Sequence, residues 1–439
     1  MPKPKKQPIK AQPGDKIRLS CGPDEYTGIL LPRKQGSSEF VTIKLSSGYN
    51  IGISKARIKK TQILERSAAK IGQRQKIAPK QGQEGAQNIS LLACGGTIAS
   101  RIDYSTGAVY PATTPQELVV GFPKELKGKV KAKTLFTIQS EDLAPLHWEK
   151  IAKAAAGEIK QGAKGVIITH GTDTMAYTSS MLSFMLQNLP CPIVLTGSQR
   201  SSDRGSSDAQ ANLYCSLLAA SADLSGVFVC MHENMSDSSC FLHFGTKVRK
   251  MHTSRRDAFR AINVMPAARI FPGTGKIEKL SNECASRNKA SLSLDTKMNT
   301  NVAIQYIYPG VKPKAISSLS KYDGIVLIGT GLGHLPVNLR KEPLAIPILN
   351  EVSQLIKSGI PVVLVSQTIY GRVDMNVYTN QRVLLEAGVI GNLCDFTPES
   401  AYTKLMWVLG REKKIKKVKE LMETNIVGEI SSKTQIANY

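Results

Sequence analysis

Two short apolar runs, each cut off by glycine and followed by threonine, constrain this chain more than any other feature. The first lies in N-I-S-L-L-A-C-G-G-T-I-A-S at residues 88–100. Its apolar part has no helical period, as expected of a strand buried on both faces. It stops at Gly95-Gly96, and Thr97 follows. Paired glycines let a backbone turn sharply and approach a neighbour closely. The carboxyl edge of an open parallel sheet is where such folds place ligands, so a hydroxyl there is a candidate nucleophile. An ordinary strand-to-loop turn is the plainer reading of this stretch alone. The second run, residues 165–169, ends in T-H-G-T-D-T and brings Gly171, Thr172 and Asp173 to the start of a helix. A helix N-terminus offers unpaired N–H groups to a carboxylate.

Around these runs the chain alternates strand and helix. Strands are expected at 89–93, 135–138, 165–169, 192–196 and 226–231, with helices near 146–160, 174–189 and 208–222. Short connections between them imply a parallel α/β sheet. The stripe Tyr177, Met181, Met185 reads as core. A second α/β unit starts near residue 300, with strands at 302–307, 324–329 and 361–366 and helices at 346–357, 381–387 and 398–409. Thr397 is a good N-cap for the last of these, followed by Pro398 at its first position. Residues 412–422 form a basic helical tail. The glycines of G-T-G-L-G at 329–333 read as a tight turn, since the next strand ends without an acid to hold a ribose.

The text before residue 88 is different. Residues 1–13 are Lys- and Pro-rich and expected to be disordered. Alternating runs at 16–21, 26–31, 40–45 and 49–53, separated by turn residues, predict four or five strands of a small β-barrel, rimmed by basic residues 55–60. Residues 67–87 read as a linker of Gln, Gly and Lys. The expected divisions are therefore 1–66, tail and barrel; 67–87, linker; 88–285, an α/β domain with the active site; and 300–439, a second α/β domain with the basic tail.

The formal net charge of +24 favours acidic partners, nucleic acid above all. None of the eight cysteines forms a C-x-x-C pair, and they read as reduced core thiols of a cytosolic protein. The six histidines lack ligand spacing, so no metal is expected. The apolar runs are shorter than the roughly 18 residues of a membrane span. The charged N-terminus lacks the apolar segment of a secretory signal.

A third chemical segment is basic, G-T-K-V-R-K at 245–250, followed by D-A-F. A desolvated lysine beside Asp173 would be able to exchange protons. Spacing alone leaves Lys247, Arg249 and Lys250 equally eligible.

At these residues the chain resembles the L-asparaginase family. A-C-G-G-T-I-A-S and H-G-T-D-T-M are similar to its two threonine signatures, S-E-D-L at 140–143 to its substrate-binding loop, and G-T-K-V-R-K to its catalytic-lysine segment. Gly371-Arg372-Val373, L-L-E-A-G-V-I and D-F-T-P-E-S-A-Y-T-K-L-M-W-V-L-G resemble its C-terminal domain, so the similarity runs over about residues 88–410. The resemblance implies a two-domain α/β core with Thr97, Thr172, Asp173 and Lys250 as catalytic residues. Ser140, Glu141, Gly96 and Gly171 would bind substrate. Glu141, an acceptor when ionised, suits an ammonium end.

Within that family the barrel, the segment Q-R-S-S-D-R-G-S-S-D-A-Q-A-N-L at 199–213 and S-Q-T-I-Y-G-R-V-D-M-N-V-Y at 366–378 are similar to one branch. It comprises the D-type glutaminase subunits of archaeal-type tRNA-dependent amidotransferases. That branch implies glutamine hydrolysis in the cytoplasm, with ammonia passed to an E-type partner subunit that converts Glu-tRNA(Gln) to Gln-tRNA(Gln). No cofactor is implied on this chain; ATP and Mg belong to the partner. A homodimer within a heterotetramer is implied, without membrane contact. Asp142 and Leu143 replace an expected Asn-Met, and Gly205 an expected Pro. The mobile-loop tyrosine role is open between Tyr104 and Tyr110. Two other readings stand beside this one: a free asparaginase/glutaminase with an appended barrel, and a catalytically dead RNA-binding scaffold.

Overall fold

Alternation of buried and exposed side chains builds the N-terminal unit. In the computed structural model, which describes residues 11–31, 39–45, 50–66, 88–102, 109–111, 118, 129–202 and 207–433, five antiparallel strands form one sheet. They are β1 (Lys16–Cys21), β2 (Asp24–Leu30), β3 (Phe40–Leu45), β4 (Asn50–Ser54) and β5 (Lys60–Glu65), in the order β4-β3-β2-β1-β5. Ile17, Leu19, Val41 and Ile43 turn inward from alternate positions and form a small separate core. Where a small barrel is expected, the structure shows this antiparallel sheet. Among the described residues no ladder joins β4 to β5 to close it. The tail through residue 10, the linker 67–87, Tyr104 and Gly205 lie outside the described residues, as does the side chain of Tyr110.

The second unit is an eight-stranded sheet. Its parallel part comprises β6 (Ile89–Gly95), β7 (Val130–Ile138), β8 (Gly165–Thr169), β9 (Pro192–Thr196) and β10 (Gly226–His232). Helices α1 (Pro145–Lys160), α2 (Met175–Met185) and α3 (Ala209–Ser221) connect these strands. On α1, Trp148, Ile151, Ala152 and Ala155 recur at helical spacing and are buried. The remaining strands, β11 (Cys240–Phe244), β14 (Ala268–Ile270) and β15 (Ile277–Lys279), extend the sheet antiparallel, in the order β15-β14-β11-β10-β9-β8-β6-β7. Between β11 and β14 lies a hairpin of β12 (Val248–Lys250) and β13 (Phe259–Ala261). The sheet is therefore mixed rather than purely parallel. β7 is also longer than its apolar text implied. It is an edge strand, and Lys131 and Lys133 alternate along it, masking the strand signal while guarding the edge.

The third unit has a parallel sheet β16-β17-β18 (Val302–Tyr306, Gly324–Gly329, Val362–Ser366). Besides a five-residue helix, Pro313–Ser317, it carries α4 (Leu349–Lys357), α5 (Thr379–Glu386), α6 (Pro398–Leu409) and α7 (Ile415–Glu423). Thr397 caps α6, accepting the backbone N–H of Ser400 at 3.1 Å. The glycines at 329–333 do form a tight turn, with Gly331 and Gly333 at φ +48° and +94°.

The two α/β units share one core. Met181, Phe184 and Met185 of α2 cluster with Val326, Val363, Leu405 and Trp407 of the third unit. That accounts for α2 being buried nearly all round. Its polar face is satisfied: the Ser180 hydroxyl lies 3.0 Å from Ser400 Oγ and 2.8 Å from Thr403 Oγ1. The Tyr177–Met181–Met185 stripe is core, as expected. All eight cysteines are free and buried. Among the described residues no helix is long and apolar enough to cross a membrane.

Candidate active site

Register brings the two glycine–threonine loops side by side. β6 and β8 are adjacent parallel strands, with Ala93 opposite Thr169, so both chains leave the sheet at one level. Gly95 and Gly96 then take φ of +92° and +81°, a region that disfavours side chains. Space forbids them too. A Cβ on Gly95 would collide with the Ile138 carbonyl, and one on Gly96 would lie 2.5 Å from the nitrogen of Gly171. A Cβ on Gly171 would in turn lie 2.5 Å from that of Ser140. Three loops, from the ends of β6, β8 and β7, thus nest by omitting side chains. Gly96 N–H donates to the Ile138 carbonyl at 3.2 Å, and Thr174 Oγ1 to that of Ser140 at 2.9 Å.

Thr97 and Thr172 directly follow the nested glycines. Thr97 is partly buried at the head of a single 3-10 turn, Thr97–Ala99, and Thr172 is buried. Lys250, at the end of β12, donates to Thr172 Oγ1 at 2.9 Å and to Asp173 Oδ1 at 2.7 Å. Its side chain is 13% exposed against 67% for Asp173, so the amine lies inside and the acid at the mouth. Of the three cations eligible by spacing, Lys250 is the one that reaches these groups. Lys247 pairs with Asp395 at 2.8 Å, and Arg249 with Glu399 at 3.4 Å. Ser140 is buried in the short turn Ser140–Asp142, while Glu141 and Asp142 beside it are exposed.

The sequence missed a buried relay under the second loop. Trp148 Nε1 donates to Thr178 Oγ1 at 3.0 Å, and Thr178 Oγ1 lies 2.9 Å from His170 Nε2. His170 Nδ1 lies 2.7 Å from the Gly171 carbonyl. Since the Gly171 carbonyl only accepts, the neutral ring carries its proton on Nδ1 and donates there, and Nε2 accepts from the Thr178 hydroxyl. Burial holds His170 neutral, its pKa lowered to about 4. The relay therefore fixes the peptide from which Thr172 hangs. His170 stood in plain view within T-H-G-T-D-T, but its partners lie on two helices that spacing cannot bring to it.

Among the described residues no group of three His, Cys, Asp or Glu side chains is placed to hold a metal ion. The arrangement offers two hydroxyls, an amine and a carboxylate around one sheet edge, the parts of a nucleophile–base system.

Comparison with known proteins gives the same outline. Residues 88–283 match the family described as Asparaginase, N-terminal, and residues 301–422 the Glutaminase/Asparaginase C-terminal domain. Residues 11–64 match the GatD N-terminal domain. The D subunit of glutamyl-tRNA(Gln) amidotransferase from Pyrococcus abyssi is 45% identical over 442 residues, covering 97% of this chain and 96% of its own length. The protein of that name from Sulfolobus acidocaldarius is 42% identical over 423 residues, covering 95% and 91%. Among solved structures, the thermostable L-asparaginase from Thermococcus kodakarensis superposes with a TM-score of 0.69 at 32% identity. It covers 79% of this chain and 99% of its own. L-asparaginase I from Vibrio cholerae does so with 0.66 at 27% identity, covering 79% and 100%. The stretch of this chain beyond the asparaginase fold thus includes the sheet β1–β5, and near full-length identity shows that the chain belongs to the family of glutamyl-tRNA(Gln) amidotransferase D subunits.

Proposed function

We propose that the chain is the glutamine amidohydrolase component of an ATP-dependent glutamyl-tRNA(Gln) amidotransferase. The single observation that carries this reading is the contact of Lys250 with both Thr172 and Asp173, beside the loop bearing Thr97.

Thr97 attacks the side-chain amide carbon of L-glutamine. A threonine hydroxyl is a weak nucleophile at neutral pH and needs a base. Thr172 and Lys250 pass its proton on, Lys250 acting as the acceptor when its amine is neutral, while Asp173 holds the amine in place. Backbone N–H groups near Gly96 or Thr172 stabilise the developing oxyanion, the N–H of Gly96 itself being engaged by the Ile138 carbonyl. The carbon–nitrogen bond breaks, the leaving nitrogen takes a proton, and ammonia departs. A glutamyl ester remains on Thr97 until water cleaves it, releasing glutamate and restoring the hydroxyl. Ser140, Glu141 and Gly171 bind the amino-acid end of the substrate, Glu141 facing its ammonium.

Ammonia passes to an E-type partner subunit that carries ATP and Mg and converts Glu-tRNA(Gln) to Gln-tRNA(Gln) in the cytoplasm. The chain acts there as a homodimer within a heterotetramer. The sheet β1–β5 is the rest of a small barrel, and the divisions are 1–66, 67–87, 88–285 and 300–439. The match of residues 11–64 to the GatD N-terminal domain favours this over a free asparaginase. Ammonia release from glutamine by the full chain with its partner, coupled to amide formation on misacylated tRNA, tests the reading. Rapid asparagine or glutamine turnover by the lone chain would favour the free enzyme. Loss of all ammonia release in Thr97→Ala would exclude a dead scaffold.

A further inference from the structure

Lys250 stands at the end of a three-residue strand, too short to hold a side chain in place by its own ladder. Backbone bonds from Ile262 N–H to the Lys247 carbonyl and from Met251 N–H to the Ala258 carbonyl extend that ladder, and further ties come from the other α/β unit. Alternate residues of a strand point to opposite sides. Val248 and Lys250 share the side toward the active-site unit; Lys247 and Arg249 take the other. Lys247 forms an ion pair with Asp395 in which both side chains are 1% exposed. Its ammonium also donates to the Asp395 carbonyl at 3.2 Å. The second strand of the hairpin reaches the same residue. Asn263, just after β13 and held at φ +63°, donates to the Asp395 carbonyl at 3.2 Å. The Asn263 amide also exchanges two hydrogen bonds with Gly371, at 2.8 and 3.1 Å. Asp395 itself is fixed, accepting the N–H of Ser431 at 2.8 Å. Residues flanking both strands of the hairpin that carries Lys250 therefore converge on one buried acidic residue of the neighbouring unit.

Other anchors exist, but they act elsewhere. Ser179 and Ser400 donate to the carbonyls of Gly245 and Thr246, each at 2.7 Å, before the strand begins. Arg249 meets Glu399 at 3.4 Å with its side chain 21% exposed, a looser tie. Burial lowers the pKa of Lys247, and Asp395 opposes that shift, so the pair is held together against the cost of desolvation.

We propose that Lys247 and Asp395 are positioning residues for the hydrolytic reaction, the buried pair setting where the Lys250 amine lies relative to Thr172 and Asp173. The proposal rests on the role given to Lys250 above. Both side chains are closed off from solvent. The third unit thereby takes part in catalysis through the placement of one amine.

The test uses the full chain assembled with its partner and assays glutamine hydrolysis. In the double variant Lys247→Met/Asp395→Asn, kcat is expected to fall roughly 100-fold with KM changed by less than about threefold, the pattern of a misplaced catalytic group. Lys250 should also lose its protection from acetic anhydride, read by mass spectrometry of its peptide. Should the double variant fail to fold, Asp395→Asn decides by the same two readouts. It keeps an acceptor for the Ser431 N–H, and Lys247 can shed its proton. A lowered melting temperature with wild-type kcat and wild-type protection of Lys250 would overturn the proposal and leave the pair a stability element. Wild-type hydrolysis in Lys250→Met would instead overturn the reading on which it rests.

Discussion

The side-chain nitrogen of Lys250 lies 2.9 Å from the Thr172 hydroxyl although 78 residues separate them in the chain. The contact joins the end of β12 to the loop after β8, with Asp173 completing a triangle at 2.7 Å. A positioned proton acceptor contributes about 10²–10⁴ in rate. Lys250→Met is therefore expected to lower kcat for glutamine by roughly 1000-fold with an unchanged circular dichroism spectrum. A loss of less than about tenfold would remove Lys250 from the chemistry.

The identity of the nucleophile has a covalent signature. Rapid quenching during glutamine turnover is expected to leave a glutamyl ester on the peptide containing Thr97, and Thr97→Ala should show neither ester nor ammonia. An ester on the Thr172 peptide would reverse the order of the two threonines.

The nested glycines predict sharp steric sensitivity. In Gly171→Ala the new methyl would meet Ser140 at 2.5 Å, and in Gly96→Ala it would meet Gly171 while forcing φ +81° on a side chain. Each is expected to cost about 1–3 kcal/mol in denaturant unfolding. Hydrolysis should fall far more than stability, because the loops carry Thr97 and Thr172, to which the proposed chemistry is assigned. Gly273→Ala, where a methyl meets nothing within 4 Å, serves as the neutral control.

Two buried histidines contribute to the acid limb of stability. Burial lowers the pKa of His170 to about 4 and that of His243 to about 3. Unfolded, each titrates near 6.5. Between those values the unfolded chain binds more protons, so stability rises with pH through that window and is fully present above it. Each ring accounts for a loss on the order of 3–5 kcal/mol as pH falls from 7 to 3. Both ring nitrogens of His243 lack a hydrogen-bond partner. His243→Leu should therefore fold and flatten the slope of urea stability between pH 4 and 6. An unchanged slope would show that His243 does not carry it.

Much of the site was legible because its chemistry is local. Glycine followed by threonine at a strand end is readable at Gly96-Thr97 and Gly171-Thr172 without coordinates. Buried strands such as Gly165–Thr169 and Pro192–Thr196 announce themselves by unbroken apolar text. Of the edge strand Val130–Ile138 only residues 135–138 did, since alternate lysines dilute the first half. The antiparallel strands Ala268–Ile270 and Ile277–Lys279 did not, being three residues each and too short for a period to emerge. The choice among Lys247, Arg249 and Lys250 could not be made by spacing, because it depends on which side of a short strand faces which unit. The relay from Trp148 through Thr178 to His170 is likewise a product of helix packing.

The apolar interior common to both α/β units has an evolutionary corollary. Met181 and Phe184 on one side and Val363 and Trp407 on the other are each other's shelter from water. A gene fragment encoding either half alone would display an oily slab and invite precipitation. The two α/β units are therefore expected to be kept or lost together, whereas the N-terminal sheet has a small core of its own.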